Sequence, residues 1–317
     1  MSRVFLHTTD STREIAPADL PTAVAEGQFI WMHLSRDDDI RGIMAQLSDI
    51  PDMALNAFMA SETRPRCTLF GDGALINLRG MGEQLLGDND PLVSIRLWAQ
   101  TGRIFTLSYR RLGIFDDVVG LMYAGQLHDP GDVISALAVA ITEALDPDVA
   151  ELNDGLDNIE SHIDEHGAIS TRTKVSKIRA TAIAYRRFLS PQRQAMERLM
   201  TAPASWIEPD DRLHLQEAAD RCARMVEELE AVRERAALAH EGLTDLRAEH
   251  MNRQGLILAV VALIFLPLTF FTGLLGMNVE GIPFAREPWA FWGVVAFCTT
   301  LAMAMGGWFV VTRWLQD

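Results

Sequence analysis

The side chains in this sequence that could handle a metal cation fall into two groups with different chemistry. The first group holds histidine, thiol and carboxylate ligands. His162 and His166 lie four residues apart on one helix face with Glu165 beside them, and His214, Glu217 and Cys222 follow on a later helix. Cys, His and carboxylate are the ligands that keep zinc after it has shed its water. As ligands they would make a regulatory or entry site; as solvated or hydrogen-bonded side chains they need no ion. The second group offers oxygen only. Asn252, Gly255, Ala259, Ala262, Leu266, Thr269, Gly273 and Gly276 recur at three- and four-residue steps, which puts them on one small or polar face of a helix. The opposite face, including Leu256, Leu263, Phe265 and Phe270, is bulky. Helix packing through small residues would explain such a face. That face carries no carboxylate, His or Cys, so it could not replace a divalent cation's water shell.

The elements that carry the second group are apolar. No charged residue occurs between Arg253 and Glu280, and a second uncharged stretch runs from Pro288 to Thr312. Each exceeds the roughly 20 residues a membrane-crossing helix needs, and a short loop joins them. Arg247 and Arg253 precede the first stretch, Arg313 follows the second, and only Arg286 lies in the loop, so the positive-inside rule places both termini in the cytoplasm. Trp289, Trp292, Trp308 and Trp314 stand near the ends of the second stretch, as interfacial aromatics do.

The rest of the chain is acidic. Of 28 Lys and Arg, only Arg253, Arg286 and Arg313 lie beyond Asn252; of 43 Asp and Glu, only Glu280, Glu287 and Asp317 do, so the first 252 residues carry the whole net charge of −15. That balance disfavours nucleic acid as a partner and suits either the attraction of cations or plain solubility. Cys67, Cys222 and Cys298 are scattered and suggest neither a disulfide framework nor a zinc knuckle. The first ten residues lack an apolar core, so no secretory signal is expected. There is no glycine-rich phosphate loop, no recognisable Ser/His/Asp arrangement and no HExxH, so no enzyme active site is expected.

Along the first ~110 residues the pattern is α/β. Arg3–Thr8, Gln28–Leu34, Cys67–Arg79 and Val93–Tyr109 are rich in β-branched and aromatic residues. Gly71-Asp72-Gly73 and Thr101-Gly102 make the last two hairpins. Asp38–Ala60 and Phe115–Ala124 fit helices. Further helices are expected over Asp132–Glu165, with a kink at Pro147, and over Ser170–Thr201, with Ser170 as N-cap and Gly167 in the hairpin between them. From Asp210 to Leu275 the one proline is Pro267, and 66 residues of helix would reach about 100 Å. Leu215, Cys222, Leu229, Ala236 and Leu243, with Ala218, Met225, Val232, Ala239 and Leu246, form an a/d seam over five heptads. The seam fits either an oligomeric stalk or a helix packed on its own domain.

Gly276-Met277-Asn278, at the exit of the first apolar stretch and followed by Ile282-Pro283, resembles the signature of the CorA metal-ion transporter superfamily, as does the Phe265-Leu-Pro-Leu-Thr-Phe270 run before it. Ser61-Glu-Thr-Arg-Pro-Arg66, Leu75-Ile-Asn-Leu-Arg79, Asp116-Asp-Val-Val119 and Ser190-Pro-Gln-Arg193 are similar to the ZntB zinc-transporter branch. Glu280, two residues after Asn278, departs toward the magnesium branch, as does Met277. The resemblance implies an α/β cytoplasmic domain, a long stalk helix and two C-terminal transmembrane helices, assembled as a funnel-shaped homopentamer in the bacterial inner membrane.

The expected divisions are a cytoplasmic α/β and helical domain (1–209), a stalk (210–253), a pore-lining span (254–276), a periplasmic loop with the Gly-Met-Asn motif (277–288) and a second span (289–312). Carried over residue by residue, Asn278 rings the outer mouth beside Gly276 and Met277. Thr269 forms a polar ring one level in, Leu266 and Leu258 narrow the path, Asn252 marks its cytoplasmic end, and Glu280 stands outside the mouth. The implied function is uptake of Zn2+, with Ni2+, Co2+, Cd2+ and Mg2+ as further candidates, coupled to protons in the ZntB branch. No tightly bound cofactor is implied. Two alternatives remain: a Mg2+/Co2+ channel gated by cytoplasmic Mg2+, and a membrane-anchored coiled-coil scaffold without a pore. The scaffold leaves the Gly-Met-Asn loop unexplained.

Overall fold

A computed structural model describes residues 2–8, 11–21, 23–25, 27–61, 64–83, 91–161, 168–277, 279, 281–284 and 286–314. The chain divides into two units, Met1–His240 and Glu241–Asp317.

The first unit is built on a seven-stranded sheet: β1 (Arg3–Thr8), β2 (Ser11–Ile15), β3 (Phe29–Leu34), β4 (Arg66–Phe70), β5 (Gly73–Met81), β6 (Leu92–Gln100) and β7 (Arg103–Ser108). Their spatial order is β2-β1-β3-β7-β6-β5-β4. Only β3 and β7 run parallel; every other pair is antiparallel. The two expected hairpins form where the turn residues put them. Gly71 (φ 62°) lets β4 turn into β5, and Gly102 (φ 71°) lets β6 turn into β7. β2 is an addition to the expected strands. Its Ser-Thr-Arg-Glu-Ile sequence is mostly exposed, because an edge strand with one partner needs no apolar face.

Two helices, α1 (Ile40–Leu47) and α2 (Asp52–Phe58), replace the single one expected over Asp38–Ala60. Pro51 disfavours helical geometry at the residue before it, and the chain restarts at Asp52. Met44, Leu55 and Phe58 pack with Leu75, Trp98, Phe105 and Leu107 of the sheet into one core. Next come α3 (Phe115–Tyr123), α4 (Pro130–Ser161) and α5 (Ala168–Met200). α4 continues through Pro147, and Ser170 lies inside α5 rather than at its cap, since the helix begins at Ala168. A Cβ on Gly80 of β5 would stand 2.9 Å from Ile141 Cγ1, so this glycine is what lets α4 approach the sheet.

The long helix α6 runs from Pro209 to Leu275. Its start carries the return half of a capping box: the Glu208 N–H donates to Asp211 Oδ2 (2.8 Å), and Pro209 fills the first helical position. Within the first unit its seam is buried inside the chain itself. Leu215, Ala218, Cys222, Met225, Leu229, Val232 and Ala236 are all 0–1% exposed. Polar contacts name the partners: Arg221 donates to Thr142 of α4 (3.3 Å), Arg235 to Asn153 of α4 (2.9 Å), and Arg186 of α5 pairs with Glu230 (2.7 Å). The seam is thus the face on which α6 packs against α4 and α5, not a free oligomerisation stripe. Each fully buried Leu, Met or Val contributes about 1.5–3 kcal/mol.

The second unit holds the end of α6 and the helix α7 (Ala290–Trp314). Both are long and apolar enough to cross a membrane.

Candidate functional site

In the second unit, α6 shows two faces. Val260, Ile264, Pro267, Leu268 and Phe271 are partly covered. These positions are spaced three, four and one apart and form one stripe. Phe271 meets Phe297 of α7 edge-on, with ring centroids 5.2 Å apart, so this stripe is where α7 packs. On the far side Asn252, Gly255, Leu258, Ala259, Ala262, Leu266, Thr269, Gly273 and Gly276 are exposed. Leu258 is 70% exposed and Leu266 is 74% exposed. The small and polar face of the sequence is therefore the face that α7 leaves open. The bulky residues assigned to the opposite face do not cover it: Leu256, Leu263, Phe265 and Phe270 are exposed too. They flank the open face, where lipid or other chains can reach them.

The chemistry of that face is narrow. The Thr269 hydroxyl donates to Phe265 O (2.8 Å), so its hydrogen is spent within the helix and its oxygen is left as an acceptor. An acceptor suits the hydrogens of an ion's water shell. At the helix end the Gly276 N–H donates to Thr272 O (2.9 Å), and a Cβ on Gly276 would stand 2.9 Å from that same carbonyl. A larger residue there would push the helix end apart just before the mouth. Met277 follows, half exposed. Asn278 and Glu280 lie outside the described residues.

Of the proposed ligands in the first unit, His162 and His166 also lie outside the described residues. Cys222 is fully buried, and burial pushes its thiol up to about 12. His214 is half exposed and stands 4.0 Å from Asp210; Glu217 is engaged by Arg221 at 3.1 Å. The structure does not bring Cys222, His214 and Glu217 together on one ion.

The described group whose ligand atoms do converge is Asp129, Asp132 and Asp211, all within 4.8 Å of one another. Asp129 caps α4 by accepting from Asp132 N (2.9 Å), while Asp211 accepts from Glu208 N and from the Ser135 hydroxyl (3.3 Å). Gly131 makes the contact possible, since a Cβ there would run into Asp211 Oδ2. Burial, the largest cause, raises Asp211 to about 7 and Asp129 to about 6, with the neighbouring carboxylates adding to both. His128 Nδ1 lies 3.3 Å from Asp132. Sequence reasoning missed this trio because Asp211 lies about 80 positions from Asp129 and Asp132. The available signals were the two capping motifs, Asp129-Pro-Gly-Asp132 and Glu208-Pro-Asp-Asp211, which announce helix starts and account for the carboxylates as caps.

Comparison with known proteins gives a consistent picture. A family profile described as "CorA-like Mg2+ transporter protein" matches residues 26–313. The zinc transport protein ZntB of Pectobacterium carotovorum is 30% identical over 319 residues, which cover 98% of this chain and 96% of that protein. Among solved structures, full-length CmaX superposes with a TM-score of 0.75 at 28% identity, covering 98% of this chain and 96% of that one. The CorA magnesium transporter of Methanocaldococcus jannaschii superposes with a TM-score of 0.79 at 17% identity, covering 98% and 97%, which shows a shared fold.

Proposed function

The chain belongs to the CorA-like Mg2+ transporter family, and on that footing we propose that it carries divalent metal cations, Zn2+ first among them, across a bacterial inner membrane into the cytoplasm. The observation that carries this reading is the face of α6 that α7 leaves open, where the Thr269 acceptor, Leu258, Leu266 and small residues are exposed as far as Gly276. One such helix cannot enclose a path, so several copies must surround an axis, and five is the number the family resemblance implies. Asn252 would then mark the inner end of the path, Leu258 and Leu266 its narrow part, Thr269 a polar ring, and Asn278 the mouth. The path carries no His, Cys or carboxylate, so the ion keeps most of its water. Asn278 and Thr269 hold that water through hydrogen bonds. Similarity to ZntB favours zinc as the cargo.

A second reading has its own observation. Met277 and Glu280 at the mouth are features of the magnesium branch, which makes Mg2+ and Co2+ the competing cargo. Uptake of radiolabelled Zn2+ and Mg2+ into proteoliposomes, with and without a pH gradient, separates the two. Zinc flux well above magnesium flux supports the first reading, and a pH-gradient dependence adds proton coupling. Magnesium flux with no zinc flux sinks it.

A further inference from the structure

The sheet face toward α1 and α2 ends in a cationic row that metal transport does not use. Arg66 on β4, Asn77 on β5 and Arg96 on β6 are successive partners across two antiparallel pairs, so their side chains stand side by side on one face. Arg96 is 1% exposed, as is Asn77. Arg96 Nη2 donates to Ser61 O (3.0 Å), and the guanidinium lies 4.4 Å from the centre of the Tyr109 ring. Arg36 sits over the same ring at 5.7 Å. Arg96 Nε, Arg96 Nη1, Asn77 Nδ2 and Asn77 Oδ1 are all buried without a hydrogen-bond partner. Among the described residues, no carboxylate forms an ion pair with Arg36, Arg66 or Arg96.

This is costly as it stands. A buried charge with no counter-charge, and buried polar atoms with no hydrogen bond, both weigh against the folded state. Carboxylates are not scarce in this chain, which has 43 of them against 28 basic groups. Burial also holds the Arg96 pKa below its ordinary value, with only the Tyr109 hydroxyl opposing the shift. The unmet set is three donor atoms and one acceptor atom around a single positive charge. A halide with one water would satisfy it. So would a small oxyanion that keeps one O–H, whose hydrogen would go to Asn77 Oδ1.

We propose that Arg96 and Asn77 form a buried site for one small monovalent anion, either a halide or an oxyanion of hydrogencarbonate size, with exposed Arg66 and Arg36 drawing it in. The bound anion supplies the charge and the hydrogen bonds that the described residues leave open, and so ties β5 and β6 to Ser61.

The test is thermal unfolding of the full-length protein in detergent at fixed pH and ionic strength, with gluconate replaced stepwise by chloride or by hydrogencarbonate. The midpoint should rise along a saturating curve in at least one arm, by about 3 °C at ten times the half-saturating concentration. The arm that responds identifies the anion. Arg96→Met should abolish the dependence, and Arg66→Gln should raise the half-saturating concentration several-fold. Where Arg96→Met does not fold, the Arg66→Gln shift decides in its place. Equal midpoints in gluconate, chloride and hydrogencarbonate overturn the proposal. So does an unchanged response in Arg96→Met or an unchanged half-saturating concentration in Arg66→Gln.

Discussion

Two stretches of α6 handle the same problem in opposite ways. Between Leu215 and Ala236 every seam residue is 0–1% exposed, while farther along the same helix Leu258 and Leu266 are 70% and 74% exposed. Secondary structure is the same in both. What differs is where the apolar surface is meant to go. The first stretch buries its leucines against α4 and α5 of its own chain and so contributes to the stability of the first unit. The second leaves its leucines on a face that only lipid or further copies can cover. An apolar residue is thus a folding residue in one stretch and an assembly or transport residue in the other.

The largest expected effect tests that division directly. Leu229→Ala removes a fully buried side chain from the seam and should cost about 2–5 kcal/mol of stability. Leu266→Ala removes an exposed one and should leave the unfolding of the first unit within about 0.5 kcal/mol of the original, while changing flux. Denaturant titration of both variants, followed by near-ultraviolet circular dichroism, reads the contrast. Equal losses would mean that Leu266 is packed as tightly as Leu229, and the comparison would fail.

The sequence displayed this division only in part. Strands β1, β3 and the two hairpins were legible because aromatic and β-branched residues gather there and Gly71 and Gly102 supply the turns. The uncharged helices were legible because charge is absent from them. The heptad seam was legible as apolar, but its partner was not: three- and four-residue spacing looks the same whether the facing helix comes from another copy or from residues 130–161. The break at Pro51 was open to reading, since a proline disfavours helix at the residue before it, whereas the polar edge strand β2 escaped because local propensity there is weak and the neighbouring strand decides. Asp211 and Arg96 escaped for a related reason. A charge reads as exposed in a sequence, and only the fold shows that both are 1% exposed.

Asp211 sharpens the comparison, since the first stretch of α6 begins by burying a carboxylate. A carboxyl whose folded pKa is raised binds its proton more tightly in the folded state. The stability it contributes is present below the unfolded value of about 4 and is lost as pH rises through about 7. Burial is the largest cause, and the neighbours that act with or against it are the Glu208 N–H, Asp129, Asp132 and Ser135. The thermal midpoint should therefore fall between pH 5 and pH 8. Asp211→Asn keeps an acceptor for the cap and removes the charge. It should flatten the fall and stabilise the protein at pH 8 by on the order of 2 kcal/mol. A wild-type slope that survives in Asp211→Asn would place the titration elsewhere.

Asn278 tests the other end of the helix, where chemistry rather than packing is expected to matter. Asn278→Ala removes the proposed acceptor for the ion's water, and Asn278→Asp adds a charge where the ion pauses. Each should change flux by about tenfold, equivalent to roughly 1.4 kcal/mol in the barrier. Neither should move the unfolding midpoint of the first unit, in contrast to Leu229→Ala. Tracer uptake by proteoliposomes measures this, and near-normal flux in both variants would remove the mouth as a selectivity element.

Glu280 should give the smallest effect, and its form matters more than its size. It follows Asn278 by two residues and is the one acidic side chain between Arg253 and Arg286. Repeated around an axis, it would ring the entrance with carboxylates and raise the local cation concentration without touching the ion inside the path. Exposed charge of that kind is screened by salt, with a Debye length of about 8 Å at physiological ionic strength. Glu280→Gln should therefore lower initial uptake a few-fold at low ion concentration and low salt. The deficit should vanish at saturating ion or at high salt. Uptake rate against ion concentration at two ionic strengths provides the measurement. If the saturated rate falls equally at both, Glu280 acts within permeation, and capture outside the mouth is not separate from passage along the open face of α6.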